Sequence, residues 1–249
     1  MSKSLSLFIV LILIIAGCTS KEKKAGFYFK NLSASQTGID FENAITESDS
    51  LNLLVHEYAY MGGGVGIGDF DNDGLQDIFF SANQQSSKLY HNKGKLKFED
   101  ITKQAGVETN KWCAGVSVVD INQDGWQDIY VCVSGQVPPE RRKNLLFINQ
   151  HDLTFKEEAE AYGIADTSFS TQAAFFDYGK EGYLDMYLLN FLLKGDRNQV
   201  RSRIVDGKSW MADGLYRNDG MPTAMNHPVY KNVTTEAGPL IMLTDLDWL

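Results

Sequence analysis

Three short segments of the chain carry acidic side chains at alternate positions, an arrangement that can enclose a hard cation. Each segment is nine residues long, follows the pattern D-x-[DNG]-x-[DE]-G-x-x-D, and begins at Asp69, Asp120 or Asp177. Carboxylates at alternate positions can converge on one ion, and the glycine at position six allows a sharp turn that presents the carbonyl at position seven. This set of oxygen donors predicts calcium as the bound ion.

The predicted ligands are the side chains at positions one, three, five and nine together with the carbonyl at position seven. In the first loop they are Asp69, Asp71, Asp73, the Leu75 carbonyl and Asp77. In the second loop they are Asp120, Asn122, Asp124, the Trp126 carbonyl and Asp128. The third loop offers a weaker set, consisting of Asp177, Glu181, the Tyr183 carbonyl and Asp185. It is weaker because Gly179 provides no ligand at position three and Lys180 adds a positive charge.

The EF-hand does not fit these loops. An EF-hand requires a bidentate glutamate at position twelve, where this chain has Phe80, Val131 and Leu188. A turn without metal remains the alternative, since Asp, Asn and Gly are also ordinary turn residues. Four neighbouring carboxylates repel one another, so a divalent ion is the simplest compensation in the first loop. We interpret the ions as structural, because no adjacent group is suited to activating water.

The acidic loops recur inside a longer repeat of four predicted strands. Residues 64–80, 115–131 and 172–188 align without a gap, and each segment reads as two strands joined by the acidic turn. Two further strands are expected after each hairpin, at 89–92 and 98–102 in the first repeat. The first aspartates at positions 69, 120 and 177 set a period in the range of propeller blades.

These repeats resemble the FG-GAP or VCBS family of calcium-binding propeller repeats. More narrowly, they resemble the bacterial lipoproteins and secreted proteins related to cartilage acidic protein, of the ASPIC-UnbV type. The residues that carry the resemblance are 62–65, 68–74, 77–78, 89–92 and 98–102. The resemblance covers residues 51–249 and implies an all-β fold of four-stranded blades, which in this family close a ring of about seven.

The resemblance implies three blades in this chain, at about 62–107, 112–164 and 169–238, and the start of a fourth at 239–249. Three blades and a stub cannot close a ring, so we expect an incomplete propeller. Repeats two and three are longer than the first, and we expect their extra residues before the third strand.

The N-terminal residues predict export and attachment to a lipid. Lys3 precedes an apolar run at 5–15 that is too short to span a bilayer as a helix. The sequence Ile15-Ala16-Gly17-Cys18 follows and resembles the lipobox of bacterial lipoproteins. We expect residues 1–17 to be a signal peptide, Cys18 to carry the lipid, and 18–50 to be a tether and lead-in segment in the bacterial cell envelope. An ordinary signal peptide with an incidental cysteine is the alternative.

Composition and motifs argue against nucleic-acid binding and against catalysis. The chain has 23 Lys and Arg against 32 Asp and Glu, a net charge of −9 and no basic tract, whereas phosphate binding requires arrays of cations. Nucleophile-elbow, zincin, P-loop and dinucleotide motifs are absent from the sequence. The histidines are scattered over the repeats, at His56, His91, His151 and His227. The chain is therefore predicted not to be an enzyme.

Two features lie outside the repeat pattern. Cys113 and Cys132 fit no zinc spacing and are interpreted as two buried thiols, with a disulfide as the alternative. The insertion at 194–213 brings cationic and aromatic side chains together and is a candidate ligand-binding surface, with a solvated insertion as the alternative. Its candidate residues are Arg197, Arg201, Arg203 and Trp210.

Taken together, these features predict a calcium-binding propeller module, anchored in the envelope, that binds or adheres to a protein or glycan ligand. Two alternatives remain open at this point. One is an accessory propeller domain of a polysaccharide-binding or polysaccharide-processing system. The other is an inactive, truncated fragment.

Overall fold

The computed structural model describes residues 29–52, 59–135, 138–191 and 212–237. Residues 1–33 and 34–249 form two units, and of the first unit only 29–33 are described, without regular secondary structure. The described part of the second unit is mainly β-structure, with two single-turn α-helices, α1 (Ala34–Thr37) and α2 (Thr102–Ala105), and a 3-10 turn at Pro139–Arg141. None of its helices has the length and apolar character needed to cross a membrane.

The strands form three antiparallel sheets of four strands each, and within each sheet the strands pair in chain order. We refer to these sheets as blades 1, 2 and 3. Blade 1 contains β1 (Val65–Gly68), β2 (Asp77–Phe80), β3 (Lys88–Asn92) and β4 (Phe98–Asp100). Blade 2 contains β5 (Cys113–Val119), β6 (Asp128–Val133), β7 (Leu145–Asn149) and β8 (Phe155–Glu157). Blade 3 contains β9 (Ser170–Phe176), β10 (Asp185–Asn190), β11 (Gly214–Asn218) and β12 (Tyr230–Asn232). The expected all-β class with four-stranded, propeller-type blades is confirmed.

Blade 2 is buried on both faces because its side chains alternate between its two neighbours. Ile129 and Val131 on β6 belong to an apolar cluster shared with blade 1. Tyr130 and Cys132, at the intervening positions, belong to a second cluster shared with blade 3. Successive side chains of a strand point to opposite faces, so a continuous apolar run is what such a central sheet requires. Burial of each large apolar side chain contributes about 1.5–3 kcal/mol.

The same alternation explains the state of the cysteines. Cys113 lies in the cluster between blades 1 and 2, and Cys132 lies in the cluster between blades 2 and 3. Both are buried free thiols, in agreement with the interpretation favoured from the sequence.

The first strands of neighbouring blades approach closely at glycines. A Cβ atom on Gly64 would lie 2.8 Å from the Ala114 carbonyl oxygen, and one on Gly115 would overlap the Thr171 carbonyl oxygen. Glycine at these positions therefore allows the first strands to lie side by side, and it accounts for the glycine that opens the first two repeats.

Part of the predicted lead-in segment packs on blade 1. Phe41 stacks on Phe80 with ring centroids 5.1 Å apart, and Tyr90 donates a hydrogen bond to Asp40. The Gln84 side chain makes two hydrogen bonds to the backbone of Thr46, one to the N–H and one to the carbonyl. Residues 40–46 therefore belong to the folded unit.

Candidate metal centres

Each acidic loop folds around its own first aspartate. Asp69 accepts hydrogen bonds from the backbone N–H groups of Asp73 at 3.0 Å and Gly74 at 2.9 Å. The corresponding bonds to Asp120 are 3.0 and 2.9 Å long, and those to Asp177 are 3.1 and 2.9 Å long. The first carboxylate therefore holds the turn closed from inside in all three loops.

The glycine at position six adopts the left-handed backbone that the turn requires. Its φ angle is +87° in Gly74, +87° in Gly125 and +89° in Gly182. A Cβ atom at these glycines would contact nothing within 4 Å, so the requirement is conformational rather than steric.

The aspartate at position nine is buried and joins the loop to the third strand. Asp77 is 1% exposed and accepts hydrogen bonds from the backbone N–H of Phe70 at 3.2 Å and of Asn92 at 2.7 Å. Asp128 and Asp185 make the same two bonds in their blades. These aspartates therefore have a structural role in addition to their predicted role as ligands.

An asparagine at the end of the third strand completes this framework. The Asn92 amide donates to the Gln76 carbonyl, and Asn149 and Asn218 donate to the equivalent carbonyls of Gln127 and Leu184. The role of these asparagines in the loops was not predicted from the sequence. Their recurrence in the motif Leu-(Tyr/Phe)-x-Asn could have indicated it.

The first loop brings its predicted side-chain ligands together. Ligand oxygens of Asp69, Asp71 and Asp73 lie within 4.8 Å of one another, and so do ligand atoms of Asp71, Asp77 and His91. The buried His91 ring places Nδ1 3.1 Å from Asp77 and Nε2 3.8 Å from Asp71. In the sequence this histidine is only one of four scattered over the repeats, and its contact with the loop was not predicted.

The second and third loops differ in how their acids are arranged. Asp177, Glu181 and Asp185 form a group with ligand atoms within 4.8 Å, whereas within the described residues no such group of three acids occurs in the second loop. There Asp124 is held by the Asn122 amide at 2.9 Å and by His151 Nε2 at 3.0 Å. Residues at position seven lie in the turn, where the N–H groups of Leu75 and Trp126 donate to the carboxylates at position five.

The electrostatics of the loops favour a bound cation. Burial, together with the charges of Asp124 and Asp120, raises the pKa of Asp128 to about 7, against the opposing effect of its backbone hydrogen bonds. In the first loop, burial and the nearby Asp73 charge raise the pKa of Asp71. A divalent cation would favour the ionised form of both groups. The donors are oxygen-rich, anionic and clustered, so the residues present fit calcium.

The loops of neighbouring blades are hydrogen bonded to one another. The Asn72 side chain donates to the Gly125 carbonyl at 3.3 Å, and Gln123 donates to the Gly182 carbonyl at 2.7 Å. Between the first two blades, the Asp69 N–H also donates to the Gln127 side chain at 2.7 Å. The three candidate sites thus form one continuous row across the blades.

Several predicted features lie outside the described residues. These are the signal peptide, the Cys18 lipid site, the start of a fourth repeat, and the insertion residues Arg197, Arg201, Arg203 and Trp210. Residues 138–143 of the insertion in the second repeat are described, and there Arg142 is buried with its guanidinium 4.0 Å from the Phe169 ring centroid. Its side chain packs within the fold and does not form an exposed patch.

Comparison with known proteins identifies the repeats. Residues 69–131, from the first acidic loop into β6, match the FG-GAP-like repeat family. The integrin alpha pat-2 protein of Caenorhabditis elegans is 34% identical over 79 residues, which are 30% of this chain and 6% of that protein. Residues 69–131 therefore match an FG-GAP-like repeat, as the resemblance of the motifs indicated. The narrower relation to proteins of the cartilage acidic protein type stays a prediction.

Proposed function

We propose that this chain is an exported binding module, anchored in the bacterial envelope, whose propeller-type blades are stabilised by calcium in the acidic loops. The observation that carries the proposal is the cluster of carboxylate oxygens in the first loop, where those of Asp69, Asp71 and Asp73 lie within 4.8 Å of one another. In the first loop the ion would be held by Asp69, Asp71, Asp73 and Asp77, with the Leu75 carbonyl as a further ligand. The likeness to an integrin alpha chain supports a binding role at a surface rather than catalysis.

The ion would act by relieving repulsion and fixing the hairpin. Asp69 already organises the turn through two backbone N–H groups, and Asp77 ties it to β3. Bound calcium supplies the positive charge that allows these carboxylates to remain ionised at short range. Because the loops of adjacent blades are hydrogen bonded, stabilising one loop also supports the packing of the next blade.

Calcium-dependent stability tests this proposal. Calcium at a hundred times its Kd should stabilise the fold by about 2.7 kcal/mol per site and raise the midpoint of thermal unfolding. Thermal unfolding of the full chain, metal-stripped and then reloaded, measures this rise. The exposed Glu99, on β4 and outside the loops, gives the control variant Glu99→Gln, which should respond as the unmodified chain does. An unfolding midpoint that calcium leaves unchanged would overturn the proposal.

Anchoring requires a separate measurement. If Cys18 is lipidated, the chain expressed in a bacterium should partition into the detergent phase, and Cys18→Ala should remain in the aqueous phase. Mass spectrometry should show the corresponding loss of the acyl groups. Equal partitioning of the two chains, with no acyl mass on either, would refute the anchor without touching the calcium assignment.

The ligand class is proposed to be a protein or a glycan, with no role in binding nucleic acid. A second candidate function, an accessory domain in polysaccharide binding or processing, is favoured by one observation. A large polar cavity lies beside the second acidic loop.

A further inference from the structure

An open cavity of about 780 Å³ lies between the second acidic loop and the segment that connects β11 to β12. Its size is within the range of small-molecule sites, about 300–1,000 Å³. Such sites are usually lined by apolar side chains. This cavity is lined mainly by polar side chains, among them Asp124, Gln150, His151, Glu158 and Asn226.

One wall of the cavity departs from the repeat at His151. The equivalent residues in blades 1 and 3 are Gly94 and Gly220, and all three donate their N–H to the asparagine that ends the third strand. The backbone is left-handed at each position, with φ angles of +81°, +69° and +83° for Gly94, His151 and Gly220. This conformation disfavours most residues with a Cβ atom. Blade 2 nevertheless carries a histidine where blades 1 and 3 have glycine.

The His151 side chain is fixed in place over the loop. Its ring stacks on Trp126 with centroids 4.8 Å apart, and Nε2 lies 3.0 Å from Asp124. The side chain is nevertheless 49% exposed at the edge of the cavity. A strained backbone that presents an ordered, accessible ring is typical of a functional position.

The opposite wall departs from the repeat in a second, independent way. The segment between the third and fourth strands has five residues in blades 1 and 2 but eleven in blade 3, at 219–229. The longer segment reaches the turn after blade 2, where His227 stacks on the buried Tyr162 with centroids 4.7 Å apart. All the extra length of the third repeat was expected before its third strand. Part of it lies instead between the third and fourth strands, at 219–229.

The polar groups of the cavity indicate the chemistry of its ligand. Within the described parts of the chain, the Asn226 amide and His227 Nε2 have no hydrogen-bonding partner, although both line the cavity. Amide and imidazole groups can pair with hydroxyl groups in either direction. The lysine among the described lining residues, Lys156, is already paired with Glu158, so no lysine or arginine of that lining is free to pair with an anion.

We propose that this cavity binds a segment of a neutral oligosaccharide, whose hydroxyl groups pair with the polar side chains and whose C–H faces pack on the imidazole rings of His151 and His227. The inference rests on the proposed binding function and assigns its ligand class. Two departures from repeat symmetry meet at one cavity, and the hydrogen-bonded loop framework of blade 1 forms without either of them.

The test begins with an array of immobilised oligosaccharides, grouped as neutral, N-acetylated and uronic-acid chains, probed with the full chain in saturating calcium. Binding to members of the neutral group is expected. The strongest neutral binder is then titrated calorimetrically into the unmodified chain and into His151→Gly and Asn226→Ala. Each substitution should weaken binding about tenfold, the effect of losing one good contact.

His151→Gly separates ligand binding from folding. Because it restores the glycine of the other two blades but removes the ring contacts with Trp126 and Asp124, its melting temperature should stay close to that of the unmodified chain while its affinity for the sugar falls. Lys93→Ala is the matched control, since Lys93 is exposed and occupies in blade 1 the position of Gln150. This control should bind the sugar normally.

Three outcomes would overturn the inference. They are no binding to neutral sugars, binding to uronic-acid chains alone, and unchanged affinity in both cavity variants. If calcium stabilises the chain but the chain binds no sugar, the sugar-binding proposal is wrong and the proposed calcium module is unaffected. If the chain binds the neutral sugar without taking up calcium, the sugar-binding proposal holds and the metal assignment is wrong.

Discussion

The first and third acidic loops share one backbone framework but differ in the groups that would hold an ion. In both, the first aspartate binds the N–H groups at positions five and six, and the ninth is buried against the third strand. The first loop adds Asp71 and Asp73, whereas the third has Gly179 and Glu181. The conformation of the loop therefore depends on positions one, six and nine, and positions three and five can vary without changing it. Retention of the loop shape is not evidence that metal binding is retained.

The largest effect is expected where the framework itself is broken. Asp77→Ala would leave the buried N–H groups of Phe70 and Asn92 without their acceptor and should lower the free energy of unfolding by about 2–4 kcal/mol, even in chelator. Asp71→Ala, which removes an acidic side chain outside the framework, should cost less than about 1 kcal/mol under the same conditions. Urea unfolding of the two metal-stripped variants measures both values. Equal losses would show that framework and ligand positions cannot be separated.

A smaller effect is expected where only the metal ligands change. Asp73→Ala should weaken calcium binding at the first loop about ten- to a hundredfold, because ligand number and charge set the affinity. Glu181→Ala should leave the strongest calcium site unchanged, because the third loop is predicted to be the weakest. Calorimetric titration of calcium into metal-stripped protein distinguishes the variants. The predicted order of affinity is wrong if the Glu181 variant loses the strongest site.

The smallest effect concerns the residue at position four. Lys180 has the same left-handed backbone as Asn72 and Gln123, with φ angles of +62°, +57° and +59°. Lys180→Asn removes a cation beside the third loop and introduces a residue that tolerates this conformation, so calcium affinity there should rise about threefold. Competition with a fluorescent calcium chelator can resolve such a change. An unchanged or lower affinity would mean that the Lys180 charge is not what weakens this loop.

The sequence predicted the hairpins and the loops because their signals are local. The aspartates and the glycine of each loop lie within nine residues. The apolar residues of the flanking strands lie within a few residues on either side. It did not reveal the roles of Asn92 and His91, because both act on Asp77 from a strand that lies some 15 residues further on. Nor did it predict the cavity, because His227 and His151 come from different blades and meet only after those blades have packed.

The contacts of residues 40–46 determine where a mechanical load would enter the fold. Tension applied to the chain before Asp40 reaches blade 1 first through the Tyr90–Asp40 hydrogen bond and the stacked Phe41–Phe80 rings. It then reaches the Asn43–Asn83 side-chain hydrogen bond at 2.7 Å and the paired bonds between Gln84 and Thr46. These bonds lie between side chains or between a side chain and backbone, and they are separate from the ladder that pairs β1 with β2. Under a pull from the N-terminal side, the segment can peel away and lengthen before any blade opens. Residues 40–46 would then be the first part of the fold to detach under load between the proposed anchor and the blades.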